Sequence, residues 1–394
     1  MDISACGGDA AAVPRPEVLD SAGVRVVLNP APHPEDDPRW TVRAQPEVEV
    51  GVLEGAPEDQ LFDVSDALVL ADGVMVVANR GTHELRFYDR TGRHLRSTGG
   101  EGDGPGEFRS LRFVDRFADD SLLAFDARHL RASVFDRDGR FVRSFPLREP
   151  TSSPYPDLAG ALSSGAIVVR ENHPYIAGVA PTGADRSPAR LLLGSSTGLE
   201  RDTLGVFPGD ETFVMAVPAD MWITVRPMTF GRSLLVKVAG DRIAVGTTDD
   251  FAIRIYGPDG VLREIIRQRR VPVPVEMSDV ARFNDSLLAT VEHEVSRRHY
   301  REMFELMPRH ETFPAFARVH LDRAGNLWVQ EYSRPGDERS VWQVFDQEGV
   351  FAARVEVPWG LQVLDIGEEH ILGVVRDEVE VERLRLYGLD KLRG

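Results

Sequence analysis

The sequence predicts an all-β fold, a six-bladed β-propeller of four-stranded antiparallel blades, and three observations carry that prediction. Segments of alternating apolar residues recur with one internal order; they end on an aromatic-Asp-x-x-Gly turn; and, where no insertion intervenes, they return at about 40 residues, the period of a propeller blade. The first copy, GVMVVANRGTHELRFYDRTGRHLRSTG from Gly73, reads as strand, polar loop, a second strand carrying Leu85 and Phe87, the turn YDRTG, and a third strand. The second, SLLAFDARHLRASVFDRDGRFVRSF from Ser121, repeats each element with FDRDG at the turn. Further copies start at Asp241, Gly325 and Glu368, and a degenerate one, SGAIVVRENHPYIAGV, starts at Ser164.

In each turn the aspartate caps its own backbone and the glycine takes the positive φ of a tight hairpin, so the turn joins the third and fourth strands. The innermost strand precedes each copy, as in SDALVLADG, SLRFVDRFADD and FARVHLDRAG. Blades are therefore expected over residues 66–100, 108–147, 157–226, 227–270, 313–358 and 359–394. The last lacks its outer strand. EVEVGVL, Glu47–Leu53, alternates and has no other partner, so residues 40–55 are expected to complete that blade and remove an open edge.

GGEGDGPGEF, residues 99–108, is no phosphate loop: the glycines miss the G-x-G-x-x-G spacing, no Gly-Lys-Ser/Thr follows, and Glu101, Asp103 and Glu107 would repel an anion. It is expected to carry the chain from the rim of one blade to the axis of the next, with Phe108 as its anchor. Two insertions interrupt the pattern. Residues 178–222 are expected to lengthen a loop of the third blade, and within 272–312 the stretch Ser286–Met307 is expected to form one helix. Its Tyr300, Phe304 and Met307 would pack on the propeller.

The chain of 394 residues carries a formal charge of −17, which argues against nucleic acid and against an anionic membrane surface as partners. No apolar run reaches the roughly 18 to 20 residues of a membrane helix. Only Lys237 and Lys391 are lysines, a bias attributed to base composition and given no functional weight. The single cysteine, Cys6, ends ISAC, which resembles a lipobox. The expectation is lipidation at Cys6 and a place in the cell envelope, periplasmic or on the outer membrane. Residues 1–39 would form the tether, interrupted by the strand candidate VRVVLN.

GEGDGPGEF, the D-x-x-G turns and LDRAGNLWV at Leu321–Val329 together resemble the bacterial NHL-like six-bladed β-propeller proteins, over roughly residues 40–394. The resemblance implies the fold and an exported lipoprotein, and it implies no particular chemistry. Related propellers, among them lactonases of the gluconolactonase type and peptide-amidating lyases, hold metals, but their ligand sets have no residue-by-residue match in this chain.

HEVSRRH, His293–His299, fails as a zinc motif, because the second ligand position is Arg297 and the two histidines lie on different sides of a helix. The loops between second and third strands collect the polar candidates: Asn79, Arg80 and His83; Asp126, Arg128 and His129; Arg170, Glu171, Asn172 and His173; Asp249 and Asp250; Glu331 and Arg334; Arg376, Asp377 and Glu378. Three histidines in corresponding loops, His83, His129 and His173, suggest zinc, and Asn with carboxylates suggests calcium. Mixed arginine and carboxylate equally suit an anionic sugar or a peptide. The expected function is a monomeric, non-catalytic propeller binding a peptide, glycan or partner protein through that loop face. The alternative is a metal-dependent hydrolase, lactonase or lyase with its site in the central channel.

Overall fold

Each repeat folds into a four-stranded antiparallel sheet in the computed structural model, which describes residues 15–33, 39–147, 155–172, 182–197, 201–217 and 222–391. The first sheet runs Val64–Val69, Met75–Asn79, Glu84–Tyr88, His94–Gly99, and the second Leu111–Phe117, Ser121–Asp126, Arg131–Phe135, Phe141–Pro146. The fourth and fifth follow the same order from Leu234 to Gln268 and from Arg318 to Val357. Gln362–Ile366, His370–Arg376 and Glu382–Asp390 form the last, and Val48–Val50 adds its fourth strand antiparallel to Glu382–Asp390, with Leu384 opposite Val50 and Leu386 opposite Val48. Arg39–Val42 lies between the last two sheets, parallel to Phe351–Val357 and antiparallel to Glu382–Asp390, and so joins them into one. The core consists of apolar clusters between consecutive sheets, and the series closes where Leu364, Leu372 and Leu384 of the last sheet meet Val69, Met75 and Tyr88 of the first. A ring of sheets closed in this way is a β-propeller arrangement.

The turns explain the spacing of the repeat. Asp89 Oδ1 accepts from the backbone N–H of Thr91 and Arg93 at 2.9 and 3.1 Å, and Gly92 has φ +85°. Asp136 with Gly139 and Asp346 with Gly349 repeat the device. The ladder shifts register at the aromatic residue before each aspartate, Tyr88, Phe135 and Phe345, and all three rings are fully buried. The glycine is also a packing position: a Cβ on Gly139 would lie 2.9 Å from the Phe87 ring of the preceding sheet. Phe108, buried between the first two sheets, anchors the glycine-rich crossing.

Four expectations are corrected. Residues 178–222 are no simple loop: Ala189–Gly194 and Arg201–Phe207 complete the third sheet, after Tyr155–Ala161 and Ile167–Asn172. Gly183–Asp185, Thr212–Val217 and Trp222–Pro227 form a separate three-stranded sheet. The single helix is two, α1 (Met277–Ala289) and α2 (Glu294–Leu306), broken where β-branched Thr290 and Val291 precede the N-cap His293. Tyr300, Phe304 and Met307 of that region pack, with Met303, on Phe213, Met215 and Met228, so α2 covers the extra sheet and not the ring of repeats. Part of the expected tether is folded as well: Glu17–Ser21 and Val24–Asn29 form a hairpin whose second strand pairs parallel with Leu262–Gln268. Residues 1–14, with Cys6, lie outside the described residues.

Candidate functional site: an axial cavity

The first strands of the repeats surround a cavity of about 300 Å³, lined by Asp66, Asp115, Arg116, Lys237, His320 and Asp365 among others. Each of these residues lies on the first strand of its sheet, the strand that borders the cavity. The cavity is lined at one end by the exposed Asp119 and Gly240, which sit in turns between first and second strands. In an antiparallel sheet those turns lie at the opposite end from the loops between second and third strands. None of the loop residues expected to bind a ligand lines this cavity.

A recurrent bond ties the inner strands together. Asp66 accepts from the Val114 N–H of the second sheet at 3.3 Å, Asp115 from the Ala161 N–H of the third at 3.2 Å, and Asp365 from the Val69 N–H of the first at 3.0 Å. His320 does the equivalent from the fifth sheet, with Nε2 3.0 Å from the Leu364 carbonyl of the last. Its Nδ1 lies 2.9 Å from the Leu321 carbonyl, so a neutral ring donates to only one of two available acceptors.

Electrostatics separate these groups. Burial pushes the Asp66 carboxyl up to about 7, against the opposing pull of the Lys237 charge. Burial likewise raises Asp115, outweighing Lys237 and Arg116. Burial alone would raise Asp365 too, but His370 and Arg116, whose Nη2 donates to it at 2.7 Å, hold it well below the usual carboxylate range. His320 is pushed down to about 4 by burial and by Lys237. Lys237 itself has no hydrogen-bond or ion-pair partner among the described residues. The cavity therefore holds an ammonium without a hydrogen-bond partner among the described residues, near two carboxyl groups that burial raises.

The residues singled out in the loops are mostly engaged in holding those loops. Asn79 is buried, accepts from the Phe62 N–H at 2.8 Å and donates to Thr82 Oγ1 at 2.7 Å. Asp126 occupies the equivalent place one sheet later and accepts from the backbone N–H groups of Arg109, Arg128 and His129. The His129 ring sits between Asp126 and Asp103, at 2.8 and 2.9 Å. Arg80 makes a two-pronged pair with Asp63, Arg170 pairs with Asp210, Glu171 with Arg190, and Arg376 with Glu382. Asp377 caps the backbone of Val379 and Val381, and both oxygens of Asp249 are held by Arg186. Arg334 donates to the Pro274 carbonyl and stands 3.5 Å from Asp279. Asn172 ends its strand, Glu378 lies in the turn before Glu382, and Asp250 follows Asp249 at a second cavity described below. His83 has φ +59° and a buried Nδ1 without a partner, while His173 lies outside the described residues. Among the described residues no group of three or more His, Cys, Asp or Glu side chains is arranged to hold a metal ion. Of the zinc-motif comparison, His293 is a helix N-cap and His299 lies 3.1 Å from Thr224 Oγ1.

No family model matches the chain, and no curated protein matches it in sequence. Solved structures do match in fold. A member of the DUF4221 family from Bacteroides vulgatus superposes with a TM-score of 0.55 at 10% identity, covering 90% of this chain and 100% of its own. A gluconolactonase from Xanthomonas campestris gives 0.43 at 13% identity over 95% and 98% of the two chains, and virginiamycin B lyase from Staphylococcus aureus gives 0.39 at 10% identity over 90% and 95%. These neighbours are propeller-type proteins. No helix of the described residues is long and apolar enough to cross a membrane.

Proposed function

We propose that the chain is a six-bladed β-propeller that binds a small polar ligand in its axial cavity, and that the ligand is a hydroxy acid or sugar acid. The anionic group would meet Lys237, and ligand hydroxyls would meet Asp66 and Asp115. The observation that carries the proposal is Lys237: one of two lysines in the chain, it stands in the cavity without a hydrogen-bond partner among the described residues. A charge held in partly desolvated surroundings without a partner is costly, and an anionic ligand removes that cost. The axial site replaces the loop face as the first place to look for a glycan-derived ligand, because most of the loop residues, among them Arg80, Asp126, His129, Arg170 and Arg376, already have partners within the protein. Thermal-shift screening against gluconate, glucuronate and their neutral sugars tests this. At least one acid should stabilise the protein and lose its effect in Lys237→Met; no stabilisation by any acid, or an undiminished effect in the variant, contradicts it.

A second reading, a hydrolase, lactonase or lyase at the same cavity, is favoured by Asp66, whose carboxyl near 7 suits proton transfer at neutral pH. Ring opening of sugar lactones that disappears in Asp66→Asn, followed by NMR, would establish it over binding alone. The envelope location belongs to the same proposal and rests on the ISAC sequence at Ile3–Cys6. Metabolic labelling of Cys6 by a fatty acid in a bacterial host, lost in Cys6→Ser, is its test.

A further inference from the structure

A second cavity, of about 570 Å³, lies between the fourth and fifth sheets, at the end bearing the loops between second and third strands. Phe251, Val271 and Phe313 give it apolar walls, and its charged lining is Arg267, Arg269, Arg270 and Arg354 with Asp249, Asp250 and Glu331. The Arg270 guanidinium lies 4.6 Å from the centre of the Phe251 ring. It donates from Nε to Gln268 Oε1 at 2.7 Å and from Nη1 to the Ala315 carbonyl at 3.3 Å, and its Nη2 is buried without a hydrogen-bond partner, 3.9 Å from Glu331 Oε1. Arg354 donates from Nη2 to Glu331 Oε2 at 2.9 Å, and its Nη1 is likewise buried and unpartnered.

The charges do not balance. The lining holds four guanidinium groups against three carboxylates, and Glu331, the carboxylate that Arg270 and Arg354 share, already accepts through Oε1 from Gln343 Nε2 at 2.6 Å. Asp249, which also lines the cavity, is held by Arg186 and does not compete. Burial works against the Arg270 charge, so an external anion would strengthen it. Buried donors almost always have acceptors, and planar guanidinium groups match a carboxylate in geometry.

We propose that this cavity binds a small organic carboxylate with an aromatic body, its oxygens accepting from Arg270 Nη2 and Arg354 Nη1 and its ring lying against Phe251 and Phe313. The site is separate from the axial cavity and does not depend on what binds there. Calorimetric titration of the full chain with 3-phenylpropionate and with 3-phenylpropanamide tests it. The acid should bind at least about tenfold more tightly than the amide, as charge-assisted pairing requires. Arg270→Gln and Arg354→Gln should each weaken the acid about tenfold and leave the amide unchanged. Glu331→Gln, which keeps the shape and removes the internal competitor, should tighten the acid. Equal binding of acid and amide, no binding of either, or weakening by Glu331→Gln overturns the proposal and assigns the two free donors to water.

Discussion

Asp66 and His320 face one cavity and titrate in opposite senses. Asp66 has its carboxyl raised from 3.8 to about 7, so the folded state keeps a proton the unfolded chain gives up. Its contribution to stability is full below pH 4 and is lost as pH rises through 7. His320 is lowered from 6.5 to about 4, so its contribution is full above pH 6.5 and is lost as pH falls through 4. The two slopes oppose each other in the same window. Asp66→Asn should therefore gain on the wild type as pH rises from 4 to 7.5, by on the order of 1 to 3 kcal/mol, when urea unfolding is followed across that range. A difference between the two proteins that does not change with pH would show that Asp66 ionises normally. At this scale the sequence was least legible. Lys237 is conspicuous as one of two lysines, yet composition alone offers no reason to prefer a site over base-composition bias. Asp66, Asp115, Lys237, His320 and Asp365 are scattered over 300 positions and meet only because each lies on the first strand of its repeat. The loop residues that look chemical side by side, such as Asp126 and His129, are spent on capping and pairing.

At the scale of elements, turn chemistry was readable because it is local. The aspartate and glycine of YDRTG and FDRDG act within five residues, and the structure shows both the caps and the positive φ. The outer strands of the third sheet were missed for the converse reason: no aromatic-Asp-x-x-Gly turn joins Ala189–Gly194 to Arg201–Phe207, so the marker of the repeat was absent. Helical spacing was visible in Tyr300, Phe304 and Met307, but periodicity says nothing about which surface the helix covers. Gly139→Ala should destabilise by about 1 to 3 kcal/mol, because φ is +80° and the new methyl group meets the Phe87 ring. In the glycine-rich crossing, Gly106 has φ +77° with Phe141 beside it, whereas at Gly104 an added methyl meets only the movable Glu107 carboxylate. Thermal melts should thus rank Gly106→Ala as more damaging than Gly104→Ala, by about 1 kcal/mol. Equal effects would mean that the crossing relaxes.

For the whole molecule, the consequential contact is between the chain's two ends. Val48 and Val50 are buried against the last and first sheets together, and Glu49 reaches Arg383 and Arg385 from the same short strand. This pairing covers the edge of Glu382–Asp390 over Leu384–Leu386. Deleting residues 40–55 should expose that edge and broaden or lower the unfolding transition, with aggregation visible in light scattering. An unchanged melt would show that closure contributes nothing. The alternating EVEVGVL made the strand recognisable; its partner, more than 300 residues away, followed from the repeat lacking a fourth strand.

The measurement that bears most directly on the axial site is calorimetric titration of gluconate and glucuronate into the wild type and Lys237→Met at about pH 6, where the Asp66 carboxyl keeps its proton. The account predicts saturable one-to-one binding of at least one acid by the wild type and a loss of about tenfold or more in the variant. Indistinguishable isotherms for the two proteins, or none at all, would contradict it.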